Sequence, residues 1–214
     1  MPLALALLLV VAAAGGAAEP TASNRATAVV DAADFTYETS FRLPCSQSTW
    51  QALVGDPVLF ADLWNAYGYG PAYQVSIRGA QIHVADPTGL VGDMTPVLSE
   101  PNRRQYFVRG RLDHWAVPFL NEGLAVFTLN TRPADAFIVG QVSVHIQAAS
   151  AFGGLVLRLG RPVLAEHVEN RIRLNLRDAG QLLEAIEKRP EAVRRKVGDE
   201  LWARLQGVLA PAAR

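Results

Sequence analysis

The sequence has one cysteine, Cys45, among its 214 residues. A single cysteine excludes an intramolecular disulfide, and Cys45 is expected to be a small core residue, with a reactive thiol as the alternative. The histidines are too widely separated to pair as metal ligands, so neither a metal site nor a cofactor is predicted. They are His83, His114, His145 and His167.

The chain also lacks an excess of charge of either sign. Lysine and arginine total 20, aspartate and glutamate total 20, and the formal net charge is zero. Such a chain has no broad basic surface, so nucleic acid is not an expected partner. Hydrophobic residues make up 50% of the chain and charged ones 19%, a composition that favours one folded domain with a substantial core over disorder.

A long apolar run occupies the N-terminus. Residues 3–14 are unbroken Leu, Ala and Val, and the small residues Gly15-Gly16-Ala17-Ala18 follow. The run is too short to cross a hydrocarbon core of about 30 Å as a helix. We predict a signal peptide at residues 1–18, cleaved after Ala18, and export to the periplasm or exterior. An uncleaved anchor or a buried N-terminal helix is the alternative, and residues 19–33 are expected to be flexible.

Period-two alternation of apolar and polar residues dominates the middle of the chain. It starts at residues 35–41, which indicates a half-buried strand. Two short helices are predicted next, before Tyr69, and Asp56-Pro57 provides the N-cap and first residue of the second. Turns with Pro or Gly then separate further predicted strands, which are a hairpin over 73–84 and strands near 90–98, 105–112, 124–130 and 137–148.

The period then changes to 3.6. Apolar residues from Leu164 to Ile186 form one stripe, which indicates a long amphipathic helix. It can begin as early as Ser150, although Gly153-Gly154 and Gly160-Arg161-Pro162 are expected to break or kink its first turns. A short helix over 193–208 follows. The predicted fold class is α+β, with one domain at 34–189 and a helical extension at 190–214.

This order of elements resembles the START-like superfamily, also called helix-grip, SRPBCC or polyketide cyclase/dehydrase-like. The resemblance covers about residues 35–188, and three parts carry it: the helical pair from Trp50 to Tyr69, the hairpin from Tyr73 to Val84, and Phe152-Gly153-Gly154 leading into the long helix. It implies a curved antiparallel sheet of six to seven strands that grips the C-terminal helix. It also implies a cavity between them for a lipid, sterol, polyketide or other hydrophobic molecule.

Aromatic and basic residues are the candidates for lining such a cavity. Four aromatics surround a Gly-rich turn, where they either line the cavity or pack a helix end on the sheet. Residues 115–120 are apolar and form either a cover for the core or a mouth for the ligand. Arg109 and Arg111 share one face of a strand, and they bind a head group or lie on a solvated outer face. The predicted ligand-binding residues are Trp64, Tyr67, Tyr69, Tyr73, Tyr106, Arg109, Trp115 and Phe119.

The chemistry available for catalysis is sparse. Asp113 and His114 are adjacent and could form a proton-transfer pair, but neighbours on an extended chain point to opposite faces. His83 and His145 fall on the polar registers of their strands and are expected to face outward. The prediction is therefore a non-enzymatic carrier of a hydrophobic small molecule or lipid. The alternatives are a cyclase- or hydrolase-like enzyme that uses the same cavity, or a protein with a filled core that docks on a membrane or partner.

Overall fold

The computed structural model describes residues 20–87, 89–112 and 122–210. The predicted signal peptide lies outside them. The elements are α1 Pro20–Asp31, β1 Phe35–Leu43, α2 Gln47–Gly55, α3 Pro57–Tyr67, β2 Gln74–Arg78, β3 Gln81–Ala85, β4 Leu90–Ser99, β5 Arg103–Leu112, β6 Gly123–Ala134, β7 Phe137–Ala148, α4 Ala151–Leu159, α5 Arg161–Lys188, α6 Pro190–Val197 and α7 Asp199–Leu209.

The strands form one curved antiparallel sheet in the order β1-β7-β6-β5-β4-β3-β2. Strands β2 to β7 are paired in chain order, and only β1 leaves that order, because it lies beside β7 at the opposite edge. Helices α2 and α3 fill the connection between the two edges. The predicted α+β fold, with six to seven antiparallel strands and a long C-terminal helix, is confirmed.

The sheet has two buried faces. Its inner face carries Tyr106 and Phe127, which belong to the same core as Val168 and Ile172 of α5. Its outer face carries Phe107 and Val126, which pack against α1. Because side chains alternate along a strand, the residue next to an inner position is an outer one. This alternation assigns every other residue of β3 to β7 to the inner or outer face.

Helix α1 corrects the prediction of a flexible segment at residues 19–33. Ala26 and Val29 are only 2% and 1% exposed and lie against the outer face of the sheet. The segment is short and rich in small and polar residues, which weakens its helical pattern in the sequence. Burial of those two side chains on Phe107 and Val126 is a tertiary contact that the segment alone does not reveal.

The long C-terminal helix is divided where the sequence places Gly160 before Pro162. Helix α4 ends at Leu159 and α5 begins at Arg161, so the break predicted at this position is confirmed. The break predicted at Gly153-Gly154 is wrong, because α4 continues through both residues. None of the described helices is long and apolar enough to cross a membrane.

Gly154 is needed for close packing instead of for a turn. The Asp34 carboxylate lies against α4, where it accepts a hydrogen bond from the Ala148 amide at 3.1 Å and pairs with Arg158 at 2.7 Å. A Cβ atom on Gly154 would lie 2.7 Å from one Asp34 oxygen. Glycine at this position therefore lets Asp34 join α4 to the end of β7.

Helices α6 and α7 continue the same core as the domain at 34–189. Val193 of α6 and Leu205 of α7 are fully buried in the cluster that also holds Trp64 and Leu182. Arg204 of α7 pairs with Asp62 of α3 at 2.7 Å. The predicted boundary at residue 190 thus marks the end of α5 and does not separate two cores.

Replacement of Gly154 by alanine is expected to destabilise the fold. The new methyl group would displace the Asp34 carboxylate from Ala148 and Arg158, at a net cost of about 1–2 kcal/mol. Gly207 of α7 is the matched control, since nothing lies within 4 Å of a Cβ atom there. Gly207→Ala should be neutral or stabilise by up to about 1 kcal/mol. Chemical denaturation measures both, and a Gly154→Ala variant as stable as wild type would contradict this account.

Cys45 is a buried core residue, as expected, and its thiol should be unreactive. Burial, followed by the negative charge of Glu187, raises the pKa of the Cys45 thiol to about 12. A raised pKa leaves less thiolate at pH 8 than an exposed cysteine has, and thiolate is the reactive form. Ellman's reagent should therefore react with the native protein far more slowly than with the protein in guanidinium chloride. Equal reaction rates in the native and the denatured protein would contradict this interpretation.

Candidate functional site

Three glycines lie side by side on adjacent strands of the inner face. Gly92 of β4 pairs with Gly110 of β5, which pairs in turn with Gly123 of β6. The next position, on β7, is Ala148. These three residues, named here the glycine row, leave a strip without side chains across the inner face of the sheet. Glycine weakens a strand, so such a row marks a place where another group approaches the backbone closely.

The space in front of the glycine row is not filled by helix side chains of the described residues. A Cβ atom on Gly110 would have the Val91 carbonyl oxygen as its neighbour at 3.5 Å. On Gly123 it would have the Gln147 carbonyl oxygen at 3.3 Å. Both neighbours are backbone atoms of the sheet itself. A Cβ atom on Gly92, by contrast, would lie 3.6 Å from a methyl carbon of Val108. Among the described residues, the row is therefore least crowded by side chains at Gly110 and Gly123.

Polar groups meet at the same end of the sheet, around the hydroxyl of Tyr73. Burial raises the pKa of Tyr73, and the Arg171 guanidinium opposes that shift, while the Asp86 carboxylate adds to it. The side chain of Asn175 also lies beside the hydroxyl. We name these four residues the polar cluster: Tyr73 and Asp86 from the β2–β3 edge, and Arg171 and Asn175 from α5.

Local structure explains why the polar cluster is held in place. The Asn65 side chain of α3 binds both the amide and the carbonyl of Tyr73, at 2.9 and 2.7 Å. Asp86 accepts a hydrogen bond from the Leu90 amide at 3.3 Å in the turn between β3 and β4. Side chains fixed in this way keep their geometry without a ligand, which is the arrangement expected of a preformed site.

Asn175 is the unusual member of the polar cluster. Its side chain is 1% exposed and shares a hydrogen bond with the Tyr73 hydroxyl, which lowers the pKa of Tyr73 against the larger effect of burial, although neither the nitrogen nor the oxygen of the amide has a partner of ideal geometry among the described residues. The Nε atom of Arg171 is also buried without such a partner. Each unsatisfied buried group costs about 1–3 kcal/mol of stability. Buried polar atoms are therefore concentrated around the Tyr73 hydroxyl.

The aromatic residues predicted around the Gly-rich turn form a packed cluster. Trp64 lies 5.1 Å from Tyr69 and 6.0 Å from Tyr73 between ring centroids, and its indole nitrogen donates to the Pro71 carbonyl at 3.1 Å. Tyr67 stacks on Tyr69 and lies beneath the Lys196 ammonium group. Of these four aromatics, Tyr73 is the one that also belongs to the polar cluster, and the other three anchor the end of α3 against α5 and α6.

Tyr106 and Arg109 lie on opposite faces of β5. Tyr106 is fully buried on the inner face, and burial raises the pKa of its hydroxyl to about 12. Arg109 is on the outer face, where it lines a groove with Asp93, Arg111 and Glu122, and the three glycines of the row border the same groove. Arg109 therefore does not point into the space between sheet and α5, because one residue further along a strand reverses the direction of the side chain. Its predicted role in ligand binding stays a prediction.

The histidines of β3 and β7 are on the outer face, as expected. His83 contacts the Asp93 carboxylate at 2.7 Å, and His145 contacts the Thr36 hydroxyl at 3.4 Å. The suggested catalytic pair Asp113-His114 and the apolar residues Trp115 and Phe119 lie outside the described residues. Within the described parts of the chain, no group of three or more His, Cys, Asp or Glu side chains could hold a metal ion.

Sequence reasoning missed the glycine row and three members of the polar cluster. Gly92 and Gly110 sit inside predicted strands, which is a known signal of close approach by a backbone or ligand, whereas Gly123 stands just before a predicted strand and reads as a turn residue. Their alignment depends on strand pairing, so it is invisible in the linear sequence. Asn175 gives a clearer signal, because a polar amide stands within the apolar stripe between Ile172 and Ala179.

Comparison with known proteins supports the fold. No protein-family model matches the chain, and no curated protein does. Among solved structures, a conserved protein from Geobacillus kaustophilus is similar, with a TM-score of 0.53 and 10% identity, over 71% of this chain and 97% of that one. Protein Ms6760 from Mycobacterium smegmatis has a TM-score of 0.48 at 14% identity, over 72% and 94% of the two chains. Ara h 8.0201 has a TM-score of 0.43 at 13% identity, over 71% and 95%. The similarity to the Geobacillus protein shows a shared sheet-and-helix fold.

Proposed function

We propose that the protein is a non-enzymatic binding or carrier protein for a lipid or other hydrophobic small molecule, held between the inner face of the sheet and α5. The glycine row is the observation that carries this proposal. Three paired glycines lower the stability of their strands and remove side-chain volume from the core at one place. A bound ligand would supply the apolar contacts that the missing side chains do not make.

The surroundings of the glycine row suit an apolar molecule. Strand neighbours on the inner face are Val84 beside Gly92, Val108 beside Gly110 and Ala125 beside Gly123. Apolar ligand surface buried against such side chains contributes about 25 cal/mol per Å² before the costs of binding. The polar cluster at the same end fixes the orientation of the ligand, as a few placed polar groups do in most small-molecule sites.

Export belongs to the same proposal. A carrier of a poorly soluble molecule is useful in an aqueous compartment such as the periplasm or the exterior, and the apolar run at residues 3–14 followed by small residues supports secretion. The START-like resemblance also supports a carrier, since it implies a hydrophobic cavity in this position.

The first test is to fill the glycine row. Gly110→Leu should occupy the proposed cavity and weaken binding of the neutral fluorescent probe N-phenyl-1-naphthylamine by at least about tenfold. The free energy of unfolding should change by no more than about 1 kcal/mol, because the new side chain would enter space that is available. Arg103→Leu is the matched control: it adds the same side chain at an exposed position at the other end of β5, and it should leave probe binding unchanged.

Native mass spectrometry of the protein purified from its own host complements this test. A stoichiometric apolar molecule, retained by the wild type and lost from Gly110→Leu, is the expected result. A protein that carries nothing, binds no probe, and is destabilised by several kcal/mol in Gly110→Leu would instead show a filled core. That combination would overturn the carrier proposal.

A second candidate function is transient contact with a membrane, and helix α4 is the observation that favours it. Phe152, Leu155 and Leu159 are 61%, 51% and 75% exposed and recur on one face of α4. Arg158, 67% exposed at its side chain, adds a positive charge beside them. Helix α4 connects β7 to α5. Contact between α4 and a bilayer would therefore bring the proposed ligand site close to the lipids of that bilayer.

Removal of the apolar face of α4 tests this second candidate. The double variant Leu155→Ser/Leu159→Ser should lower co-sedimentation with phosphatidylglycerol-containing vesicles several-fold. Leu174→Ser is the matched control, since Leu174 is 40% exposed on α5, away from α4. Wild-type protein that fails to co-sediment, or a double variant that binds as well as the control, would exclude membrane contact through α4.

A further inference from the structure

We propose that the free edge of strand β2 pairs with β2 of a second copy of the chain, which joins the two sheets into one. Strand β2, Gln74–Arg78, is the last strand at one side of the sheet, and no described strand pairs with its free edge. An unpaired edge presents a row of backbone N–H and C=O groups that another strand can bind. The proposal goes beyond the carrier function and does not depend on it.

The turn between β2 and β3 fixes which backbone groups point to the free edge. Gly79-Ala80 form this turn, and Arg78 pairs with Gln81 across it. Residues that flank a two-residue turn exchange both of their backbone hydrogen bonds, and along an antiparallel pair such residues alternate with residues that exchange none. Val75 and Ile77 are of the second kind. They therefore direct their N–H and C=O groups to the free edge.

These backbone groups are self-complementary when two copies of β2 run antiparallel about Ser76. Val75 of one copy then faces Ile77 of the other, and each such pair can exchange both of its backbone hydrogen bonds. The side chains of both residues lie on the inner face, since Val75 pairs with Val84 and Ile77 pairs with Ile82 of the core. An apolar pair thus forms on each side of Ser76.

Ile77 is the apolar side chain that this pairing would cover. It is 50% exposed, and it borders a groove together with Val208 of α7, which is 37% exposed. A continuous sheet keeps the inner faces of both copies on the same side, so Ile77 would lie against Val75 of the second copy beside this groove. Apolar pairs across strands contribute about 0.2–1 kcal/mol each.

The polar side chains of β2 also match across the two-fold axis. Gln74, Ser76 and Arg78 are exposed on the outer face. Arg78 of one copy faces Gln74 of the other, and Ser76 faces Ser76. The two Arg78 positions are about 13 Å apart along the strands, from a rise of about 3.3 Å per residue, so their repulsion is largely screened. One short sequence serves both sides of the pairing, which favours a second copy as the partner.

The opposite edge of the sheet, β1, is less suited to such pairing. Its apolar residues Phe35, Phe41 and Leu43 are at most 8% exposed, and α5 packs along the strand. Its exposed side chains include the charged residues Glu38 and Arg42. Charged side chains on an edge strand oppose pairing with another chain. The exposed apolar residue therefore distinguishes the β2 edge.

Sedimentation equilibrium of the purified protein tests for the dimer. A strand of five residues provides a small interface, so the dissociation constant should be on the order of 10 µM. Ile77→Lys should weaken dimerisation by at least about tenfold, because it replaces the covered apolar side chain by a charge. Leu174→Lys is the matched control, since Leu174 is 40% exposed but lies on α5, and this variant should dimerise as the wild type does. Circular dichroism verifies that both variants are folded.

A cysteine at position 76 tests the register. Ser76 faces its own copy in a pair without backbone hydrogen bonds, where Cα atoms are about 4.5 Å apart and a disulfide can form. In a glutathione redox buffer, Ser76→Cys should give a covalent dimer. Gln74→Cys is the matched control, because Gln74 is exposed on the same face but lies too far from its counterpart for a disulfide. The native Cys45 is buried and should not contribute.

The outcomes decide the proposal without any ligand, so they are separate from the tests of carriage. Loss of the dimer in Ile77→Lys but not in Leu174→Lys, together with cross-linking through position 76 and not 74, supports it. A wild type that remains a monomer about thirtyfold above the expected dissociation constant overturns it. A dimer that Ile77→Lys leaves intact also overturns it, as does equal cross-linking of Gln74→Cys and Ser76→Cys, since the contact then lies elsewhere or in another register.

Discussion

The fold depends on the burial of one apolar face of α5 on the inner face of the sheet. That contact is tight at the C-terminal half of the helix, where the Cβ position of Gly180 lies 3.5 Å from Pro44 and 3.6 Å from Leu43. Elsewhere on the inner face, at the end of the sheet formed by Gly92, Gly110 and Gly123, the strands present the glycine row instead of side chains.

Helix α1 covers part of the outer face of the sheet and restrains its central strands. Phe107 and Val126 are covered by Ala26 and Val29, so the central strands are packed on both sides. Strands buried on both faces have little freedom to move apart, and the geometry of the glycine row is then set by the sheet. The outer face keeps its charged groups, such as the pair of His83 and Asp93, at the periphery.

The polar cluster and the glycine row both lower the stability of the fold relative to a core filled by apolar side chains. Burial of the Asn175 amide costs desolvation that its contact with Tyr73 only partly offsets, and side chains in place of the glycine row would add contacts. Local choices that reduce stability tend to coincide with function, because a folded protein can lose a few kcal/mol at one place when its core compensates elsewhere. Here the glycine row and the polar cluster lie at the same end of the sheet, where Gly92 pairs with Val84 and Asp86 follows two residues later.

The sequence by itself determined the elements and their class. The period-two alternation from Phe35 onward predicted the strands, the 3.6 period from Leu164 to Ile186 predicted α5, and the Gly160-Arg161-Pro162 break was placed correctly. These features are local: they depend on the pattern within one segment and on the conformational limits of proline and glycine. Helix α1 was missed because its helical state depends on contact with Phe107 and Val126, which are distant in sequence.

Only the tertiary structure decided the site. Gly92, Gly110 and Gly123 are unremarkable one at a time, and they become a strip only when three strands pair in one register. The same register placed Arg109 outward, and the packing of α5 on the sheet brought Arg171 and Asn175 to Tyr73. Pairing and packing join residues that no local pattern connects, because the energy that selects one register comes from burial of the whole sheet.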